Sequence, residues 1–136
     1  MKRFLTTRIP SPNIGLLYLR LTAAALLIYV HGLPKLVHFA SELQQIDDPL
    51  HLGRGLTLGF ALLAEIVCPL AIAVGWQTRL ASMPILVLLL VSMFLVHPDW
   101  SIADGQFGWL LIIAFGAIAL AGPGHYSADQ HLAEPG

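Results

Sequence analysis

The chain has 136 residues, 57% of them hydrophobic and 11% Asp, Glu, Lys or Arg, where a soluble domain carries roughly 25% charged residues. Its mean hydropathy of +0.76 means more apolar surface than a soluble core of this length can bury. That excludes an ordinary soluble enzyme and a disordered tail. A net charge of -1 excludes the basic footprint of a nucleic-acid binder, and the single cysteine, Cys68, excludes a disulfide framework or a Cys-rich metal site. The expectation is an all-α integral membrane protein of one domain, a four-helix bundle in contact with the lipid bilayer. Four spans of roughly 20 residues use about 80 residues, which suits this length.

Residues 1–13 form a basic N-terminal segment with Lys2, Arg3 and Arg8. The first span is predicted over 14–33. The run is too long for a signal peptide, contains Arg20 and lacks a cleavage site before further spans, so it reads as a retained anchor. Leu36, Phe39, Leu43, Ile46 and Leu50 then recur at spacings of three and four. They predict a short amphipathic helix in the first external loop, lying on the outer membrane surface or packing over the bundle mouth. Asp48-Pro49 is expected to end it. The second, third and fourth spans are predicted over 55–75, 80–96 and 107–121. Small residues four apart (Gly55 and Gly59, Ala64 and Cys68, Ala71 and Gly75, Ala117 and Ala121) predict close helix contacts. Packing within the bundle is the expectation for them, and a homo-oligomer stays open. Gly122-Pro123-Gly124 stops the last helix and opens a polar C-terminal tail over 122–136, which is expected to have little fixed structure from His125 on. Lys2, Arg3, Arg8 and Arg79 fall on one side, against Lys35 and Arg54 on the other. The positive-inside rule then puts both termini in the cytoplasm and the protein in the inner membrane.

Arg20 and Glu65 stand inside spans, where a charge costs roughly 2.5–3.5 kcal/mol on insertion scales. Each should face the bundle interior and find a partner. Counted from the cytoplasmic ends of their spans, Arg20 lies about 9 Å deep and Glu65 about 15 Å deep. The difference is within reach of an arginine side chain, so the sequence predicts an Arg20–Glu65 ion pair. Pro69 leaves the Glu65 carbonyl without its helical donor, and the five donors of Arg20 can serve both the carboxylate and that carbonyl. Such a pair either pins two spans together or takes part in proton transfer or cofactor binding. Standing apart from Arg20, Glu65 would be a proton-relay candidate.

A second cluster is expected at the outer mouth. His31 and Lys35 share one face of the first span. His97 ends the third, Asp99, Trp100 and Asp104 follow it, and His38 and His51 lie in the first external loop. Histidine there can hydrogen-bond a quinone carbonyl, shuttle protons or bind a metal, and Met93 with His97 is a pair that a soft metal can use. No HxH, HExxH or CxxC spacing is present, so no metal-ligand set is assigned. Arg79, in a tight Gln77-Thr78-Arg79 turn, reads as a charge anchor. Trp76, Trp100 and Trp109 fall at span ends.

These residues resemble the DoxX family. The matching features are Arg20, His31-Gly32-x-x-Lys35, Glu65, Gly75-x-x-Thr78-Arg79 and Gly122-Pro123-Gly124-His125-Tyr126-Ser127-x-Asp129. The resemblance spans about residues 14 to 129. It implies a compact four-helix membrane bundle that serves as a subunit of membrane oxidoreductases. Some relatives are linked to thiosulfate oxidation with quinone as acceptor, others to thiol and oxidative-stress defence. Carried over by position, it places Arg20, His31, Lys35, Glu65 and Arg79 in the polar core. The leading expectation is therefore a quinone-linked subunit. Glu65, Arg20 and His31 would carry the chemistry, and His31, Lys35, His97 and Arg79 would hold the quinone. With no haem, flavin or iron–sulfur signature in the sequence, a protein partner would bring the redox centre. The rival expectation is a non-enzymatic scaffold, a metal-handling partner or a small transporter.

Overall fold

The computed structural model describes residues 11–133, all of whose regular elements are helical. The basic segment used to orient the chain, Lys2 to Arg8, lies outside the described residues. In chain order the helices are α1 (Ser11–Leu27), α2 (Leu33–Val37), α3 (Phe39–Gln45), α4 (Arg54–Leu62), α5 (Cys68–Val74), α6 (Thr78–Val91), α7 (Gln106–Ala121) and α8 (Ala128–Ala133). Single π turns join α1 to α2 (Ile28–Gly32) and α4 to α5 (Leu63–Val67), and a third extends α6 (Ser92–Val96). Three continuous helices long and apolar enough to cross a membrane result: Pro12–Val37, Arg54–Val74 and Thr78–Val96. The fourth, α7, has 16 residues, about 24 Å at 1.5 Å per residue. That is short of a hydrocarbon core of about 30 Å, so crossing on it requires local bilayer thinning.

The π turns follow from the sequence. Each closes on the residue directly before a proline: Leu33 before Pro34, Cys68 before Pro69 and His97 before Pro98. A proline ring crowds the carbonyl four residues back and offers it no N–H. The chain answers by opening the turn. The amides of Leu33, Cys68 and His97 bond the carbonyls of Ile28, Leu63 and Ser92, five residues back. Pro84 is accommodated inside α6 without such a turn.

The spans pack in cyclic order, each against its sequence neighbours, with the fourth closing on the first. Ala23, Leu27, Ala64, Ile72, Ile85, Leu89, Leu111, Phe115 and Ile118 meet in the middle. Tyr18, Leu80, Phe107, Ile113 and Leu120 stay exposed on the outside, as lipid-facing residues do. The small-residue expectation holds in part. Ala64, Cys68 and Gly75 are buried, whereas Ala117 and Ala121 are exposed. Gly55 and Gly59 meet nothing within 4 Å, so their GxxxG makes no contact within the bundle.

One end of the bundle carries residue 11 and the C-terminal segment, and is called the terminal end here. The other, the loop end, carries 38–53 and 97–105. The loop helix exists but is shorter than the spacing predicts. His38, at φ -105° and ψ 37°, separates α2 from α3. Leu36 therefore belongs to the first span, and α3 stops before an extended Ile46 rather than at Asp48-Pro49. Asp48 has a different task. Its carboxylate accepts the Thr57 hydroxyl at 2.8 Å and the Leu52 and Gly53 amides at 3.0 and 2.8 Å, tying the loop to the start of α4. The Thr57 hydrogen bond, helped by those amides, holds the Asp48 carboxyl below its ordinary range.

Candidate functional site

The predicted Arg20–Glu65 pair is not formed. Gly32 of the first span packs directly on the Glu65 carbonyl. Arg20 lies twelve residues earlier on the same helix, about 18 Å away along the axis and far beyond an arginine's reach. The sequence argument took the terminal ends of the first two spans as flush, and they are staggered. Gly75, which ends α5, sits beside the Arg20 guanidinium, where a Cβ would stand 2.9 Å from Nη1. The first span continues past that level toward Pro12.

Glu65 instead meets Lys35. The Lys35 ammonium lies 2.9 Å from Glu65 Oε2 and donates a hydrogen bond to Oε1 at 3.2 Å. A second hydrogen bond goes to the His31 carbonyl at 3.3 Å. The Glu65 side chain is 7% exposed and that of Lys35 21%, so the carboxylate is the buried partner and the ammonium the reachable one. Oε2 is in ionic contact but receives no hydrogen bond. The Lys35 ammonium thus faces three oxygens, both of the Glu65 carboxylate and the His31 carbonyl. His31, one turn before Lys35, is half-buried in the first π turn. The structure thus brings Glu65, Lys35 and His31 together where the first two π turns touch.

Arg20 and Arg79 belong to another construction, at the terminal end. Arg20 is 1% exposed. It donates Nη1 to the Pro123 carbonyl and Nη2 to the Tyr126 carbonyl at 2.7 Å. Arg79 lays its guanidinium over Gly122, whose φ is 82°. Asp129 accepts the amides of Gln77 and Thr78 at 2.7 and 3.0 Å, capping α6 from outside, and its own amide bonds the Gly75 carbonyl at 2.9 Å. The His125 amide reaches Asn13 Oδ1 at 3.0 Å. Residues 122–133 therefore form an ordered clasp, which corrects the expectation of a tail with little fixed structure. Burial by itself would raise the Asp129 carboxyl, but the hydrogen bonds from Thr78 and Gln77 together with the Arg20 charge hold the group below its ordinary range. Arg20 and Arg79 hold the clasp and stand apart from the Lys35–Glu65 pair.

His97 lies at the loop end with its ring stacked on Trp100, centroids 3.8 Å apart, and makes no hydrogen bond or ion pair to His31, Lys35 or Glu65. The Met93 sulfur packs against Gly108. Among the described residues no group of three His, Cys, Asp or Glu is placed to hold a metal ion. His38 returns its ring to the Pro34 carbonyl at 3.2 Å. Trp76 and Trp100 are about half exposed at span ends, while Trp109 is half-buried edge-on to Phe94. Sequence reasoning missed two participants. Gly32 was only a letter in a motif, and its meaning lies in a backbone contact. Asp129 stood in the closing motif, but its partners are amides that no side-chain pattern reveals.

No curated protein and no solved structure matches the chain. A family model, DoxX, matches residues 15–98, more than half of the sequence. That stretch covers all but the first residues of the first three spans, all three π turns and both residues of the ion pair. The chain belongs to the DoxX family.

Proposed function

We propose that this DoxX protein is the membrane subunit of a quinone-linked oxidoreductase system, with Lys35, Glu65 and His31 as its proton-handling site. The observation that carries the reading is the intramembrane pair itself: a buried carboxylate in ionic contact with a more exposed, reachable ammonium. Charges this deep are costly and tend to mark proton or substrate pathways.

The residues suit a quinone headgroup. Its carbonyl oxygens accept hydrogen bonds, and the Lys35 ammonium and the His31 ring are the donors at hand. A bound quinone would supply a two-electron, two-proton acceptor. Lys35 stabilises negative charge developing on a ligand oxygen, and Glu65 Oε2 receives or returns a proton there. Lysine, glutamate and histidine carry protons but no electrons, so a partner protein brings the redox centre. Arg20, Arg79 and His97 take no part at this site. An inner-membrane orientation with both termini cytoplasmic, as the positive-inside count favours, puts the pair in the outward half of the bilayer.

The test is photolabelling in lipid nanodiscs with a photoreactive quinone analogue. Label on 28–37 or 61–68 that is lost in Lys35→Met and Glu65→Gln, both shown by circular dichroism to fold, supports the reading. Label elsewhere, or label unchanged in both variants, overturns it in favour of a scaffold whose ion pair only holds two spans.

A further inference from the structure

Within the pair, Glu65 is held by something other than its charge. Pro69 has no N–H to offer the Glu65 carbonyl four residues back, and the chain opens into the π turn Leu63–Val67 around that residue. The carbonyl does not turn toward lipid. It packs onto Gly32, where an added Cβ would overlap the Glu65 oxygen and stand 3.0 Å from its carbonyl carbon. Gly32 is buried and closes the first π turn. Contacts of this kind let Cα–H groups face a carbonyl oxygen across two helices. Gly59 and Gly55 earlier in the second span have open space instead. Among the glycines of the first two spans, Gly32 is thus the one whose added Cβ would meet the other span's backbone. The next turn of the first span carries Lys35, three residues after Gly32.

We infer that Gly32 and Pro69 are positioning residues for Glu65. The backbone contact between the two π turns fixes the height and rotation of Glu65, so that its carboxylate meets Lys35. A plain α turn at 63–67 would rotate Glu65 relative to Lys35, and a side chain at Gly32 would push the two spans apart at the same level. The inference rests on the proposed role of the pair for its functional meaning, though its test needs no quinone.

The test is pH-difference infrared spectroscopy in lipid bilayers, with the Glu65 carboxyl bands identified by their loss in Glu65→Gln. Lys35→Met defines the bands of an unpaired Glu65. The expected result is that Gly32→Ala moves the bands to the Lys35→Met position and that Gly59→Ala leaves them at the wild-type position. Adding Lys35→Met to Gly32→Ala should then change nothing further. Wild-type bands in a folded Gly32→Ala protein overturn the inference. Should Gly32→Ala fail to fold, Pro69→Ala decides the matter. It returns an N–H to the Glu65 carbonyl, and shifted bands support the inference while unshifted bands overturn it. The expected band shifts together with no quinone labelling of the wild-type protein would count against the proposed function alone.

Discussion

Exchanging Arg20 for methionine separates the two polar constructions of the bundle. Arg20 gives charged hydrogen bonds to the carbonyls of Pro123 and Tyr126. Hydrogen bonds to charged groups contribute roughly 1.5–3 kcal/mol each, so Arg20→Met should cost about 3–6 kcal/mol. The loss should appear as a lower midpoint of unfolding in mixed detergent–SDS micelles, followed by far-UV circular dichroism. Double-mutant cycles locate the interaction. Arg20 and Glu65 are about 18 Å apart along the first span, so Arg20→Met and Glu65→Gln should add to within about 0.3–0.5 kcal/mol. Arg20→Met and Asp129→Asn act on one clasp and should show a coupling of roughly 0.5–3 kcal/mol. Coupling above about 1 kcal/mol between Arg20 and Glu65, with none to Asp129, would refute the stagger of the first two spans and restore the pairing expected from sequence.

The Lys35–Glu65 pair gives a second cycle: either Lys35→Met or Glu65→Gln alone should cost roughly 3–5 kcal/mol in the same unfolding assay, and the double variant should recover much of that loss. Asp129 titrates below its unfolded value, so its contribution is complete above the unfolded carboxyl pKa and disappears as pH falls through the folded one. Unfolding midpoints measured from neutral to acid pH should fall along that window, and Asp129→Asn should flatten the fall. Gly75 has φ 76° and faces Ser127, so Gly75→Ala should cost at least about 1–2 kcal/mol from the left-handed backbone alone. Gly59→Ala, with open space around it, should be neutral or stabilise by up to about 1 kcal/mol.

The spans were legible because lipid-facing helices need long apolar runs, and the chain supplies three with little ambiguity. The polar members of the Lys35–Glu65 site were legible as residue types for the same reason, since charges inside such runs stand out. Their pairing was not. It depends on where two helices sit relative to each other along their axes, and the apolar boundaries 14 and 75 hide a stagger that only the Gly75–Arg20 contact reveals. Pro69 announced a disturbed turn at Glu65 without saying whether the helix would break, kink or widen. The C-terminal clasp was illegible for another reason. The hydrogen bonds of Arg20 and Asp129 go to main-chain carbonyls and amides, which every residue has. The loop helix came out short because the local backbone at His38 overrode a periodic apolar pattern that ran on through it.

The account stands on the partner of Glu65. Solid-state NMR on protein in lipid bilayers, with 15N in lysine and arginine side chains and 13C in the glutamate carboxyl groups, measures it directly. The predicted result is strong dephasing of the Glu65 carboxyl carbon by the Lys35 ammonium nitrogen, whose distance to Oε2 is 2.9 Å, and its disappearance in Lys35→Met. Dephasing by the Arg20 guanidinium, or by no side-chain nitrogen at all, would contradict the site as described.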